Sequence, residues 1–204
     1  MSEINAIFWD VGGVLLNNAW DRTEREQAFT QFGLDPADFQ TRHEPIASSF
    51  EKGEITLAEY LERTVFYRDR PFTRDAFQNY MFSLSQPKPD VLAVARALAA
   101  SGRYFMGTIN NESLELNLHR IQRFKLPEIF DLFVSSCFVG LRKPQPEIYR
   151  LALAITQRQP DECCFIDDRA ANLEWPSQLG MRVIQMQDPE KLREDLREAG
   201  VSAV

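Results

Sequence analysis

Short apolar segments alternate with stretches of helical periodicity along most of the chain. The first apolar segment, residues 4–10, ends at an acid and is followed directly by Gly12 and Gly13. A run bounded in this way is typical of a buried parallel strand that enters a tight turn. Four further apolar segments have the same character and are predicted as strands, at residues 104–109, 132–136, 163–166 and 182–186.

Helical patterns separate these later strands. The predicted helices lie at about residues 88–101, 113–123, 146–156, 169–179 and 189–198. Regular alternation of strand and helix predicts a parallel sheet with helices on both faces, because each crossover between parallel strands needs a connection of this length. The expected fold class is therefore α/β, with a doubly wound parallel sheet.

Residues 21–83 follow a different pattern, with several helix starts and no convincing strand. Four residues stand as N-caps before helical patterns, and they are Asp21, Asp35, Thr56 and Thr73. Thr56 and Glu59 form a capping box. The segment is predicted as a small all-helical insertion. The expected boundaries are 19–85 for this helical cap, and 1–18 with 86–204 for the α/β core.

Composition and charge narrow the function classes. The 204 residues carry 23 Lys and Arg against 30 Asp and Glu, a net charge of -7. We expect no nucleic-acid or membrane partner, because there is no basic patch and no apolar run reaches the roughly 18 residues that span a bilayer. The start shows no secretory signal, and three cysteines are expected as small core residues. These features predict a reduced, cytoplasmic, soluble protein, with its oligomeric state left open.

Polar side chains follow four of the predicted strands. They are Asp10, Asn110, Asn111, Lys143, Asp167, Asp168 and Asn172. Since ligands bind beyond the carboxyl ends of the strands in such sheets, we expect these side chains to meet at one edge. Carboxylates crowded together repel one another unless a cation lies among them, and an all-oxygen ligand set favours Mg²⁺. A divalent ion beside one lysine would attract a phosphate.

The same residues resemble the motifs of the haloacid dehalogenase superfamily. Residues 8–15, Phe-Trp-Asp-Val-Gly-Gly-Val-Leu, are similar to its first motif, and residues 143–149, Lys-Pro-Gln-Pro-Glu-Ile-Tyr, to its third. Residues 165–172 are similar to the fourth motif, and Ile109-Asn110-Asn111 is a weaker match to the second. The motifs occur in family order and, with their flanking elements, span residues 6–186. The helical insertion lies where the helical-cap branch of this family has its cap.

The resemblance implies a Mg²⁺-dependent phosphatase that acts on a small phosphorylated metabolite, such as a sugar phosphate. It implies that Asp10 is the nucleophile that forms an aspartyl-phosphate, and that Lys143 neutralises Asp10 and binds phosphoryl oxygens. Asp10 and the Gly12 carbonyl correspond to metal ligands in this family. Asp167 and Asp168 correspond to the acidic pair that completes the metal site; Asp168 is favoured as the direct ligand because side chains alternate along a strand.

The remaining predicted site residues surround this centre. Asn110 and Asn111 are expected to donate to the phosphate, Asn110 from the position where the family usually has Ser or Thr. Asn172 is expected to orient the acidic pair. Trp20, beside the predicted hinge of the cap, is expected to face the substrate.

Gly12 departs from the usual family pattern. Most phosphatases of the superfamily have a second Asp there, as general acid and base, and this catalysis is worth about 10²–10⁴-fold. A group from the cap, or a leaving group that hardly needs protonation, would compensate. Dehalogenases of the superfamily also lack this Asp, so a 2-haloacid dehalogenase is an alternative, although those enzymes need no metal and usually lack the acidic pair. A catalytically weak phosphate-binding protein is a further alternative.

Overall fold

The computed structural model describes residues 2–202 and confirms the α/β class. The predicted core limits at residues 1 and 204 lie outside the described residues. One sheet contains five parallel strands in the order β3-β2-β1-β4-β5. The strands are β1 (Ala6–Trp9), β2 (Phe105–Asn110), β3 (Leu132–Ser135), β4 (Cys163–Asp167) and β5 (Arg182–Gln185). Within the described residues, no helix has both the length and the apolar character needed to cross a membrane.

Apolar layers cover both faces of the sheet, as its central strand shows. Ile7 and Trp9 belong to the core on one face, whereas Ala6 and Phe8 belong to the core on the other. Alternate strand residues point to opposite faces, so a strand buried on both sides reads as a continuous apolar run. The helices of this part of the chain are α5 (Pro89–Ala100), α6 (Leu114–Arg123), α7 (Ser136–Val139), α8 (Pro146–Thr156), α9 (Ala170–Leu179) and α10 (Leu192–Glu198).

Four helices lie between β1 and α5, and the structure describes no strand among them. They are α1 (Arg22–Phe32), α2 (Pro36–Glu51), α3 (Leu57–Thr64) and α4 (Arg74–Ser83). Each begins after the N-cap that the sequence predicts, and the Thr56–Glu59 capping box is present. We call residues 19–85 the helical insertion. Its limits and its role as a cap stay predictions.

The helical insertion has an aromatic core of its own that also contacts the rest of the molecule. The rings of Phe50 and Tyr60 stack with their centroids 3.9 Å apart, and Trp20 meets Phe77 edge-on at 5.9 Å. Buried Leu116 of α6 packs into the same cluster. Because aromatic side chains bury large apolar areas, this cluster fixes the helical insertion against the edge of the sheet where the site lies.

Candidate active site

Three of the predicted site residues form a buried ion cluster at the carboxyl end of the sheet. The Lys143 Nζ lies 2.8 Å from Asp10 Oδ1 and 2.6 Å from Asp167 Oδ2. The side chains of Lys143 and Asp167 are 1% and 0% exposed, and that of Asp10 is 10% exposed. At these distances and this burial, the ammonium holds both carboxylates in fixed positions.

The two oxygens of Asp10 have different surroundings. Asp10 Oδ1 accepts a 2.8 Å hydrogen bond from the Val11 amide in addition to its contact with Lys143. Asp10 Oδ2 receives no hydrogen bond from residues 2–202. Burial raises the pKa of the Asp10 carboxyl to about 7, an effect that the Lys143 ammonium opposes and the Asp167 carboxylate reinforces. One oxygen is thus fixed by donors while the other is left available.

Asp167 and Asp168 have different partners, although they are adjacent in sequence. The Asn172 Nδ2 lies 3.0 Å from each Asp167 oxygen, and the Arg169 amide donates to Asp167 Oδ1 at 2.9 Å. Asp168 Oδ1 is buried and has no hydrogen-bond partner among the described residues. The structure therefore shows Asn172 orienting Asp167 alone.

Gly13 is what allows Asp168 to reach the loop after β1. Its φ is +77°, in the left-handed region that favours glycine. A Cβ on Gly13 would stand only 2.1 Å from Asp168 Oδ2. Both the turn conformation and the close approach of the carboxylate therefore require glycine at this position.

The donor set fits a divalent cation. Carboxylate oxygens of Asp10, Asp167 and Asp168 lie within 4.8 Å of one another, and one ammonium shared by two of them leaves two negative charges unbalanced. Burial raises the pKa of Asp168, and the Asp167 charge raises it further. A hard, oxygen-seeking ion such as Mg²⁺ would balance these charges and satisfy the orphaned Asp168 oxygen.

Asn111 is bonded to the backbone of Lys143 at both ends of its amide. Its Oδ1 accepts from the Lys143 N–H at 2.8 Å, and its Nδ2 donates to the Lys143 carbonyl at 2.9 Å. This pair of bonds holds the loop that carries Lys143. Asn111 thus positions Lys143, and the predicted contact of Asn111 with phosphate stays a prediction.

Asn110 is buried, and its side chain bonds to other buried side chains. It is 2% exposed, its Nδ2 donates to Asn117 Oδ1 at 3.1 Å, and its Oδ1 accepts from Ser135 at 2.8 Å. The described cavity residues do not include it. The amide is turned towards α6 and β3, and its predicted phosphate contact stays a prediction.

A cavity of about 120 Å³ opens between the helical insertion and the sheet edge. Asp10, Lys143 and Asn172 line it, and so does Gly12, whose predicted role as a carbonyl ligand stays a prediction. Trp20 also lines the cavity, while its indole Nε1 donates to Tyr60 at 3.0 Å. Its ring therefore faces the space where the sequence analysis expects the substrate.

Two ion pairs join the helical insertion to the loops of the core across this cavity. Asp21 accepts from Arg169 at 2.5 Å, and Glu51 lies 2.8 Å from Arg142. All four residues line the cavity. Arg169 thus pairs with the helical insertion across the cavity mouth.

His43 of α2 lines the cavity and is hydrogen-bonded to Tyr60, which is in turn hydrogen-bonded to Trp20. The Trp20 Nε1 donates to the Tyr60 hydroxyl, and the same hydroxyl lies 2.9 Å from His43 Nδ1. Burial, and after it the charge of the Arg25 guanidinium, lowers the pKa of His43 to about 4. The ring is therefore neutral at pH 7.

We expect His43→Asn to remove part of the acid sensitivity of folding. In the wild type the pKa falls from about 6.5 unfolded to about 4 folded. The contribution of the neutral His43 ring to the free energy of unfolding is therefore present above pH 6.5. It is lost as the pH falls, because the unfolded chain binds the proton first. Because the ring is only partly buried, we expect the free energy of unfolding to fall by about 1 kcal/mol more in the wild type than in the variant between pH 7.5 and 5.0. Urea unfolding at both pH values measures this, and equal losses in the two proteins contradict it.

Sequence reasoning missed several residues that line the cavity. They are Asn18, Asp21, Arg25, His43, Glu51, Glu112, Arg120, Arg142 and Arg169. Five of them lie within two positions of a predicted site residue, and this was the available signal: Asn18, Asp21, Glu112, Arg142 and Arg169. No local pattern marks the buried Glu112–Arg120 pair, whose nitrogen and oxygen are 2.8 Å apart.

A family model described as haloacid dehalogenase-like hydrolase matches residues 4–180 of this chain. Flavin mononucleotide hydrolase 1 of Arabidopsis thaliana is 27% identical over 80% of this chain and 65% of its own length. The chain covers smaller shares of several other curated relatives. Glyceraldehyde 3-phosphate phosphatase of Pyrococcus abyssi is 21% identical over 89% of this chain and 80% of its own.

(S)-2-haloacid dehalogenase 4A of Burkholderia cepacia is also similar, 25% identical over 61% of this chain and 53% of its own. Among solved structures, a HAD-family enzyme of Bacteroides thetaiotaomicron in complex with magnesium and inorganic phosphate superimposes with a TM-score of 0.73. The identity is 22%, and the match covers 91% of this chain and 96% of that one. At this identity the superposition shows the shared fold.

Proposed function

The chain belongs to the haloacid dehalogenase-like hydrolases, and we propose that within this family it is a Mg²⁺-dependent phosphomonoester hydrolase. Its substrate is a small phosphorylated metabolite, for which a sugar phosphate is a fitting class. Curated relatives named as a flavin mononucleotide hydrolase and a glyceraldehyde 3-phosphate phosphatase support hydrolysis of a phosphomonoester. The proposed location is the cytoplasm, which the three free cysteines support.

One observation carries the proposal: a buried nucleophilic carboxylate, a shared ammonium and an unpaired carboxylate meet at a cavity. Asp10 has a fixed oxygen and an available one, and Lys143 is held by its side-chain and backbone contacts. Asp168 carries the orphaned oxygen. Perturbed titratable groups that converge on a cavity at a sheet's carboxyl edge are what phosphoryl transfer through an enzyme carboxylate requires.

Hydrolysis of the phosphomonoester takes two steps, in which Asp10 is the nucleophile and Lys143 supplies positive charge. In the first step Asp10 attacks phosphorus with its available oxygen and the ester bond breaks, which gives an aspartyl-phosphate. The Lys143 ammonium holds the other Asp10 oxygen at 2.8 Å and has donor capacity left for a phosphoryl oxygen. In the second step water attacks phosphorus and restores Asp10.

Asp10, Asp168 and the Gly12 carbonyl would hold the metal ion, with Asp167 behind them. When bound, Mg²⁺ supplies positive charge that offsets the charge of the phosphoryl group. Asp167 remains bonded to Lys143 and Asn172 and keeps the cluster in place.

The acidic pair favours this function over 2-haloacid dehalogenation. A dehalogenase displaces halide with the same carboxylate and needs no metal. In that reaction the buried, unpartnered Asp168 oxygen has no use, and a buried polar atom without a partner costs about 1–3 kcal/mol. The similarity to a curated haloacid dehalogenase makes halide release the control reaction.

Asp168→Asn is expected to separate metal binding from folding. The pKa of Asp168 is raised in the folded protein, so removal of its charge should leave the metal-free protein as stable as the wild type or more stable. The Mg²⁺ concentration for half-maximal activity should rise at least about 10-fold. Thermal unfolding with and without Mg²⁺ is the independent readout. Undiminished stabilisation of Asp168→Asn by Mg²⁺ would exclude Asp168 as a ligand.

Hydroxylamine trapping tests the covalent step directly. Wild-type protein turning over p-nitrophenyl phosphate in Mg²⁺ and hydroxylamine should acquire a hydroxamate on the peptide that contains Asp10, because hydroxylamine cleaves acyl phosphates. Asp10→Asn is the matched control and should acquire none. Phosphate release from the wild type without any adduct at Asp10 contradicts the aspartyl-phosphate route.

A further inference from the structure

Asn18 lies beside the position that a side chain at residue 12 would occupy. A Cβ built on Gly12 would stand 3.0 Å from Asn18 Oδ1, closer than most side-chain contacts. The φ of Gly12 lies outside the left-handed region, so its backbone accepts a side chain. A larger residue at position 12 would therefore need a small shift of the Asn18 side chain.

The backbone on both sides of Asn18 is held in place. Asn17 donates its N–H to the Gln86 carbonyl and accepts the Gln86 N–H on its side chain, both at 2.9 Å. Ala19 has a φ of +53°, and the Trp20 N–H donates to the Asn18 carbonyl at 2.6 Å, which closes a tight γ-turn. A non-glycine residue in this conformation is strained, and such strain persists only where the surroundings enforce it.

The Asn18 side chain itself has no hydrogen-bond partner among residues 2–202, and it lines the same cavity as Asp10. The other carboxylates of the cavity are paired with arginines: Asp21 with Arg169, Glu51 with Arg142 and Glu112 with Arg120. The His43 ring is neutral at pH 7, and its Nδ1 faces Tyr60. Burial raises the pKa of Glu51 and of Glu112, and the arginine beside each opposes that rise. The Asn18 amide, beside Gly12, is thus an uncommitted polar side chain of the cavity.

We propose that the Asn18 amide donates a hydrogen bond to the leaving-group oxygen, and that the enzyme therefore takes phosphomonoesters whose leaving group departs as an anion. Hemiacetal, enol and aryl phosphates belong to this class. The inference rests on the proposed function and names the substrate class of the same site. An amide N–H stabilises negative charge on oxygen and transfers no proton.

The reaction balances without a general acid. Asp10 forms a bond to phosphorus as the bond to the leaving oxygen breaks, and that oxygen takes the electron pair and departs as RO⁻ beside the Asn18 N–H. Water then attacks the aspartyl-phosphate, which releases dihydrogen phosphate and restores the Asp10 carboxylate. Proton transfer from dihydrogen phosphate to RO⁻ in solution gives the alcohol and hydrogen phosphate.

A series of phosphate esters with different leaving-group pKa values tests the inference. We expect the kcat/KM of the wild type to fall steeply from p-nitrophenyl phosphate to phenyl phosphate to an alkyl phosphate. Asn18→Ala should lower kcat/KM about 10-fold on phenyl phosphate and less on p-nitrophenyl phosphate, because the poorer leaving group needs the donor more. Exposed Asn79 of α4 makes no side-chain hydrogen bond in the described structure, so Asn79→Ala is the matched control.

A second variant restores the usual carboxylate. Asn18→Gly combined with Gly12→Asp relieves the close contact between these positions and should raise alkyl phosphate turnover about 10²-fold over the wild type, which flattens the dependence on the leaving group. Equal loss by Asn18→Ala on all esters, or a wild type that shows no leaving-group dependence, would overturn the role of Asn18 while the proposed function stands. Failure of the wild type to release phosphate from any ester overturns both.

Discussion

Replacement of Asp10 by asparagine is expected to lower the turnover of p-nitrophenyl phosphate by at least about 10⁴-fold, the scale seen when an enzyme nucleophile is removed. The shape of the side chain is kept, but the amide has no nucleophilic oxygen. The oxygen that matters is the one that receives no hydrogen bond from the described chain, because the Val11 amide and the Lys143 ammonium hold the other. Initial rates of phosphate release measure the loss.

The fold should survive this change. Burial raises the pKa of Asp10, so the folded protein gains little from its charge, and Lys143 keeps its 2.6 Å contact with Asp167. We expect a free energy of unfolding at pH 7.5 equal to or above that of the wild type. Glu198→Gln, at an exposed position of α10, controls for the loss of one acid. An Asp10→Asn protein that is folded and retains more than a tenth of wild-type turnover is incompatible with Asp10 as nucleophile.

Lys143→Met is expected to damage both catalysis and stability. The variant keeps the volume of the chain but leaves Asp10 and Asp167 facing each other in a buried site, and breaking a buried pair in this way costs about 3–5 kcal/mol. The rate should fall by about 10²–10³-fold, because a fixed cation beside the phosphoryl group is lost. Urea unfolding and phosphate release measure the two effects.

The pH dependence of the stability loss in Lys143→Met identifies its cause. The folded-state pKa of Asp10 is already raised by burial and by Asp167 and should rise further without the ammonium. The difference in free energy of unfolding between the wild type and the variant should therefore shrink as the pH falls from 7.5 to 5.5, because the Asp10 carboxyl takes up a proton. Lys125→Met, at an exposed side chain, is the matched control and should change stability little. A pH-independent deficit points to packing instead of charge.

The sheet and the ion cluster were predictable because they follow from local patterns combined with one topological rule. Apolar runs that end at Asp10 and Asp167 mark strands, and parallel strands bring their carboxyl ends to one edge. N-caps such as Asp35 and Thr73 predicted helix starts in the helical insertion because their bonds are formed within a few residues.

The direction of individual amides was less predictable. Asn110 and Asn111 lie next to each other at the end of β2, yet the first amide bonds to Asn117 and the second to the backbone of Lys143. Alternation of side chains along a strand sends neighbours to different surroundings, and the identity of those surroundings depends on distant elements. The spacing of these residues in the sequence predicted the edge of the sheet where they lie, but not their hydrogen-bond partners.

The pairing of side chains across the cavity had no sequence signal, although some of these residues lie next to predicted site residues. Asp21 and Arg169 are separated by 148 positions, and their pairing depends on how the helical insertion packs on the core. Asn18 follows from the same packing, because the turn at Ala19 sets its direction. Residues that govern access and leaving-group chemistry therefore emerge only from tertiary structure.

Phosphate release from p-nitrophenyl phosphate by the wild type, with and without Mg²⁺, decides whether the protein is a Mg²⁺-dependent phosphatase. The leaving group ionises readily, so the absence of an acid at Gly12 should not hide activity. We expect equimolar phosphate and p-nitrophenol with Mg²⁺, no release with a chelator, and recovery when Mg²⁺ is restored. Halide release from a 2-haloacid in the presence of the chelator, with no phosphate release under any condition, would contradict this function.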